Sequence, residues 1–322
     1  MKISVIVPVY NSEKTIDKCL DSLVNQSLSD IEIIVINDGS TDNCDKIITG
    51  YLKKFPSVIK YYHRENKGIG FTRNEGIKKA SGKFLGFVDS DDYVEKDMFE
   101  KMYNKIISTN ADIVVCNYKV IKNGSIDKTI DVNLPLETNL YDQPKILNNI
   151  DFAPWNKLYK KELFNDISFP ENLKYEDLST IIKVFSKATK IVKVSDYFYN
   201  YLINPSGETI TIDDKIFDIF KIFDDLLAYF ENCNNYEFKR QIKILCCRKL
   251  FVYTELSLNN YDFDFSLKFL DKVYVYLNKN FNKWKKDYIL SSSNLKTLGL
   301  RIIQLNKKVY IKRLRKKLKS MR

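Results

Sequence analysis

Phe84-Leu85-Gly86-Phe87-Val88-Asp89-Ser90-Asp91-Asp92 is the stretch that decides how this chain folds. An apolar run of strand length passes directly into a cluster of carboxylates. A strand buried on both faces reads as continuous apolar sequence, so the acids mark the point where it leaves the core. The same form occurs twice upstream. Ile3 to Tyr10 is a β-branched apolar run ending in Pro8-Val9-Tyr10-Asn11, and Ile31 to Ile36 ends in Asn37-Asp38-Gly39-Ser40-Thr41-Asp42. Helical patterns fill the intervals. One, capped by Ser12, runs from Glu13 to about Gln26 with Ile16, Leu20, Leu23 and Val24 on one face. Others run from about Asp42 to Lys54, from the loop Arg64 to Gly70 on to Ala80, and from Lys96 to Ser108. A shorter strand is predicted at Val58 to Tyr62 and a fifth at Asp112 to Val120. Strands alternating with helices predict an α/β fold, a mostly parallel sheet covered on both faces by right-handed crossovers.

The remainder divides by composition. Ile121 to Tyr141 is polar and irregular, a connection or hairpin; Trp155 to Phe164 and Tyr175 to Phe185 read as ordered parts of the same domain. From about Asp213 the spacing turns helical and aromatic. The expected organisation is an α/β domain over 1–212, read in two halves (1–120 and 121–212). A helical domain (213–295) and a basic amphipathic tail (296–322) follow. The net charge of +11 belongs to that tail, which holds eleven basic residues and no acidic one, whereas residues 1–295 carry 41 of each sign. No uncharged run approaches the roughly 18 apolar residues of a membrane span, and the amino terminus reads as a strand rather than a signal peptide. Six cysteines without C-x-x-C spacing read as reduced cytosolic thiols. His63 is the only histidine, which argues against His-rich metal sites and a Ser-His-Asp hydrolase.

In open α/β sheets ligands bind beyond the carboxyl ends of the strands, where all three polar clusters lie. Turn and helix-cap chemistry alone can place Asp, Asn and Gly there. Three clusters on one rim ask for more. Asp89 and Asp91 are two apart, so in extended chain both carboxylates point to one side and Asp92 to the other. Two like charges that close suit a hard divalent cation, Mg²⁺ or Mn²⁺, of the kind that also binds substrate phosphates. Strand one lacks the G-x-G-x-x-G of a dinucleotide-dependent oxidoreductase and the Gly-rich phosphate loop of a sugar nucleotidyltransferase. A non-catalytic or partner-dependent subunit remains the alternative to an enzyme.

Ser4 to Asn11, Ile34 to Asp42, Asn66-Lys67-Gly68, Arg73-Asn74-Glu75-Gly76 and Phe87 to Asp92 occur in this order. Trp155-Asn156-Lys157-Leu158 and Tyr175-Glu176-Asp177-Leu178 follow. Over roughly residues 1 to 210 the chain resembles the family 2 inverting glycosyltransferases of GT-A fold, of bacterial cell-surface polysaccharide type. The resemblance implies a hexose or N-acetylhexosamine moved from a UDP-sugar to a glycan hydroxyl, with Mn²⁺ or Mg²⁺. It implies that Pro8, Val9 and Tyr10 line the base pocket, Tyr10 by stacking, with Glu13 nearby, and that Asp38 accepts the uracil N–H. Asp89 would contact the ribose and, with Asp91, the metal; Ser90, Lys67, Arg73 and Asn74 would complete the donor site. Lys67 and Arg73 are equally readable as solvated surface charge. Asp177 is the expected general base. If Tyr175 to Phe185 is a helix, periodicity puts Asp177 at the edge of its buried face and Glu176 nearly opposite. Trp155, Asn156 and Glu176 would shape the acceptor site, with a buried structural role as the rival for Trp155. The sequence departs from the family where Asn200-Tyr201-Leu202, not a basic residue, follows the aromatic run Tyr197-Phe198-Tyr199.

In the tail, Tyr310, Ile311, Leu314, Leu318 and Met321 share one helical face and most basic residues lie elsewhere. Such a helix can lie on an anionic membrane. A solvated or partner-docking tail is the main rival, and nucleic acid is not expected. The expected setting is cytoplasmic, peripheral on the inner membrane face, with a lipid-linked glycan acceptor and a possible homo-oligomer.

Overall fold

The computed structural model describes residues 1–203, 213–260, 263–292 and 294–321. They belong to two compact units, Met1–Pro205 and Ser206–Arg322. The boundary expected at 212 lies outside the described residues.

The first unit opens with β1 (Ile3–Val9), α1 (Ile16–Val24), β2 (Ile31–Asp38), α2 (Cys44–Lys54), β3 (Ile59–Arg64), α3 (Ile69–Lys79) and β4 (Phe84–Phe87). Every residue of β1 and β2 is buried, as expected for strands covered on both faces. The strands pair in the order β3-β2-β1-β4, all parallel. The chain starts in the middle, builds outward to β3, then returns to the other side of β1. Connections leaving β1 and β4 therefore part company, and a crevice opens between their carboxyl ends.

The rest of the unit comprises β5 (Tyr93–Val94), α4 (Met98–Thr109), β6 (Ile113–Lys122), β7 (Ser125–Ile130), β8 (Glu137–Thr138), β9 (Lys157–Lys160), α5 (Glu176–Lys187) and β10 (Ile191–Leu202). The segment 121–141 contains a hairpin: β6 and β7 pair across Asn123 and Gly124, both at positive φ. β9 inserts antiparallel between β4 and β6. Because it runs backwards, its beginning lies at the rim where β4 ends. That reversal brings Trp155 and Asn156 to the crevice end of the sheet.

One helix start is corrected. α1 begins at Ile16, its N-cap Thr15 makes no side-chain cap bond, and Ser12 spends its hydroxyl on the Tyr10 carbonyl and Ser90. The crevice, rather than the helix end, claims Ser12.

The second unit is helical: α6 (Asp218–Tyr229), α7 (Tyr236–Asn260), α8 (Phe263–Asn280), α9 (Trp284–Leu290), α10 (Leu295–Leu305) and α11 (Lys307–Met321). Its core centres on Phe251, whose ring meets Tyr274, Trp284, Tyr288 and Tyr310 at centroid distances of 5.5 to 6.2 Å. Tyr310 and Leu314 are completely buried, and Lys317 pairs with Glu255 at 2.8 Å. This corrects the expected membrane-facing stripe. The face carrying Tyr310 and Leu314 packs into the helical unit, so 296–322 is part of that fold rather than a free tail. Among the described residues no helix is long and apolar enough to cross a membrane. All six cysteines are free thiols.

Candidate active site

The loops after β1, β2 and β4 are tied to one another at the crevice. Asn11, at φ 48°, accepts from the Thr41 N–H at 2.8 Å and donates its own N–H to Ser40 at 3.0 Å. Ser12 and Ser90 share a hydroxyl hydrogen bond of 2.7 Å. Pro8 and Val9 are buried beneath the mouth of the crevice, while Tyr10 stands 52% exposed, an open aromatic face suited to stacking. Glu13 accepts from the backbone and side-chain amides of Asn43 at 3.0 and 2.7 Å. These bonds join the first two loops.

Asp38, at the end of β2, is almost fully enclosed. It accepts from the N–H groups of Lys67 and Gly68 at 2.8 and 2.9 Å and pairs with Arg64 at 2.9 Å. One carboxylate thus orders the 64–70 loop. Gly68 turns there at φ 85°, and a Cβ on Gly39 would come within 2.7 Å of the Asn66 nitrogen. Lys67 is exposed, its ammonium 4.9 Å from the Phe71 ring.

Arg73 is the connecting piece. Its guanidinium is buried, pairs with Glu176 through Nη1 and reaches Asp89 through Nη2 at 3.1 Å. The neighbouring carboxylates Asp89, Glu176 and Asp177 hold it charged despite burial. Arg73 is therefore not solvated surface charge: it binds the end of β4 to the head of α5. Asn74 beside it clamps Phe169, accepting from the N–H and donating to the carbonyl, each at 2.8 Å. Asn74 thus ties α3 to the segment at Phe169. Gly70 lets the segment approach, since a Cβ would sit 2.3 Å from the Pro170 oxygen.

At α5 the structure reverses the periodicity argument. Glu176 is the buried member, drawn in by Arg73, and Asp177 is half-buried. The reason is that Leu178 to Ser186 are buried on every side, so no solvent face exists for a period of 3.6 to report. Tyr175, immediately before, sits at φ 69°. A bulky residue held in the left-handed region costs on the order of 1–2 kcal/mol, and such strain collects at functional sites.

Behind the rim lies a network that no sequence motif announced. Asp92, 1% exposed, accepts from the Tyr199 hydroxyl and the Leu202 N–H, both at 2.7 Å. The Tyr199 oxygen in turn accepts from the Asp89 N–H at 3.2 Å. Burial, then Asp91 and Asp89, push the Asp92 carboxyl well above the usual carboxylate range. Trp155 stacks on Tyr199 at 4.3 Å and Tyr201 at 5.6 Å. Asn156 is fully buried, donating to the Cys116 carbonyl at 2.8 Å and accepting from the Lys157 ammonium. Both residues are buried and support the rim from within.

The sequence profile described as Glycosyl transferase family 2 matches residues 4–168. The chain belongs to that family. Glycosyltransferase GlyA of Streptococcus pneumoniae serotype 4 is 36% identical over 214 residues, 63% of this chain and 30% of that protein. The poly(ribitol-phosphate) beta-glucosyltransferase of Bacillus spizizenii is 37% identical over 218 residues, 66% of this chain and 34% of its own length. This chain therefore spans less than two thirds of these relatives. Among solved structures, Staphylococcus aureus TarS 1-349 in complex with UDP-GlcNAc aligns at TM-score 0.62 and 25% identity, over 96% of this chain and 83% of that one. The fold is that of these GT-A structures, with a helical carboxy-terminal part.

The oxygen donors that follow β4 fit a hard divalent metal. Among the described residues no three His, Cys, Asp or Glu side chains form a ready cage. Asp89 and Asp91 are hard oxygen donors of the kind that would suit Mg²⁺ or Mn²⁺. Arg64, Tyr199 and the Arg73–Glu176 pairing were missed by sequence reasoning; only the charge of Arg64 and Glu176 within their motifs offered a signal.

Proposed function

We propose that this chain is an inverting glycosyltransferase that moves a hexose or N-acetylhexosamine from a UDP-sugar to a hydroxyl of a cell-surface glycan. One observation carries the reading: Arg73 joins Asp89, on the strand-four acidic motif, to Glu176, so the donor loop and the head of α5 are held together with Asp177 between solvent and core. Tyr10 stacks on the base, and the Asp38-ordered loop closes beside it. Asp89 and Asp91 would hold Mg²⁺ or Mn²⁺, which would supply Lewis-acid stabilisation to the departing diphosphate. Asp177 takes the proton from the acceptor hydroxyl as its oxygen attacks the anomeric carbon. The bond from that carbon to the diphosphate breaks, UDP leaves, and an α-linked donor gives a β-linked product. The setting that suits a lipid-linked acceptor is the cytoplasmic face of the cell membrane, with the enzyme bound peripherally.

A thermal-shift screen of UDP-sugars with and without Mn²⁺ tests the donor half. Stabilisation grows as RT ln(1 + [L]/Kd), about 2.7 kcal/mol at one hundred times Kd. One UDP-sugar should stand out with Mn²⁺, and Asp91→Ala should abolish the metal-dependent part. No shift and no hydrolysis with any sugar nucleotide would defeat the reading.

A further inference from the structure

The one fully buried residue of α10 is polar, Gln304. At 100° per residue, Thr297, Arg301 and Gln304 share one face and Leu295, Gly299 and Ile302 the opposite one. A surface helix normally turns its apolar stripe to the core. Here Gln304 is buried and Arg301 half-buried, while Leu295 and Ile302 on the opposite face are exposed. Gln304 is buried, accepting from the Tyr288 hydroxyl through its side chain at 2.8 Å and from Tyr274 through its carbonyl. Arg301 donates to the Tyr288 carbonyl at 2.7 Å and to Ser291, its guanidinium 4.7 Å from the Tyr288 ring. These bonds hold the opposite face outward, where Leu295 is 85% and Ile302 51% exposed. Leu290, just before, and Val309, just after, are exposed as well.

The adjoining helix supplies the second observation. α11 packs on α10, and with Tyr310 and Leu314 turned inward its outer face carries Lys308, Lys312, Arg315, Lys316 and Lys319, all exposed. No acidic residue occurs from 296 to 322. An exposed apolar pair on one helix and an exposed basic face on the next complement an anionic lipid surface: the apolar side chains enter the headgroup boundary and the ammonium and guanidinium groups meet lipid phosphates.

We propose that the outward face of α10, flanked by the basic face of α11, is the surface by which this chain docks on an anionic lipid membrane. The inference deepens the membrane setting proposed above and rests on it. It moves the contact from the Tyr310–Leu314 stripe, which is buried, to Leu295 and Ile302.

The test is flotation of the full chain with vesicles of phosphatidylglycerol and phosphatidylcholine, against phosphatidylcholine alone. The wild type should float with the anionic vesicles only. Lys312→Gln/Lys316→Gln should lower the partition coefficient about 25-fold, from about 1 kcal/mol per basic residue. Leu295→Gln/Ile302→Gln should lower it at least tenfold and make the residual binding wholly salt-labile. Unchanged melting temperatures certify both variants as folded. Equal binding by wild type and variants, or none by wild type, overturns the proposal. So does a dimer in solution that the apolar pair abolishes, which would put a second copy on this face, or tighter binding to duplex DNA than to vesicles. Donor hydrolysis on the same samples separates the two readings: loss of hydrolysis with flotation intact defeats the enzyme assignment and leaves the docking surface standing.

Discussion

α5 and α10 break the same rule in two different ways. Each turns polar side chains toward the protein interior, where an unpaired group would cost several kcal/mol. In α5 the inward group is a charge, Glu176, and Arg73 waits for it as a buried counter-charge. In α10 the inward groups are Arg301 and Gln304, satisfied by tyrosine hydroxyls and carbonyls. What differs is the residue left outside. α5 leaves Asp177 half-buried beside the crevice, a carboxylate where chemistry is wanted; α10 leaves Leu295 and Ile302 in water. In each helix the inward polar group has a partner, and the residue left outside is the one that distinguishes the two.

The largest expected effect separates the two acids of α5. If Asp177 is the base and Glu176 the brace, Asp177→Asn should cut transfer by about 10²–10⁴-fold while leaving donor-induced thermal shifts intact. Full transfer activity in that variant would break the contrast, and product analysis of Glu176→Gln would then show whether the roles are exchanged.

Arg73→Met comes next. It strands Glu176 without its counter-charge in the interior, and breaking a buried pair costs about 3–5 kcal/mol. Asp89 is partly exposed, so the lower end of that range is expected. Denaturant midpoints measure it. A loss below about 1 kcal/mol would mean that α5 is held by its apolar residues alone. Arg73→Lys should recover only part of the loss, because one ammonium cannot reproduce two guanidinium contacts.

A smaller effect concerns Lys157, a third polar group taken inside. It is fully buried, its ammonium donating to the Ala153 carbonyl at 2.7 Å, and burial depresses its pKa from 10.5 to about 8. Between about pH 8 and 10.5 the unfolded chain then holds a proton that the native state has released. Stability contributed by this group therefore rises with pH through that window, by at most about 1.4 kcal/mol per pH unit. Tyrosines and cysteines with raised pKa act in the opposite sense, so the quantity to measure is wild type minus Lys157→Met. A difference independent of pH would mean that Lys157 stays charged in place.

How far the sequence could be read follows from the same physics. β1 and β2 are buried on both faces, so their apolar runs and terminal turns stood out, and with them the rim carrying Tyr10, Asp38 and Asp89. Periodicity failed where burial was all-round, as in α5. It also failed where an end was held by a distant partner: Glu176 by Arg73, Asp92 by Tyr199, Ser12 by Ser90. Those contacts join residues 78 to 107 positions apart, and a single sequence carries no sign of them. Charge patterning located the basic 296–322 segment, yet Phe251, which buries Tyr310, could be found only in the fold.

The smallest expected effect bears directly on α10. Leu295 and Ile302 are largely exposed, so replacing both by Gln removes little buried area and keeps helix propensity. Surface changes of this kind usually stay within about 0.5 kcal/mol, and urea midpoints of the double variant should match wild type within that margin. Gln304→Leu serves as the opposite probe. It restores the usual apolar-in pattern but strands the Tyr288 hydroxyl, an unsatisfied buried group costing about 1–3 kcal/mol. If instead the exposed pair proved destabilising and the Gln304 variant neutral, α10 would be an ordinary amphipathic helix in solution, with its apolar face against the protein. The contrast with α5 would then disappear, because only α5 would keep a polar group inside for the sake of what lies on its other side.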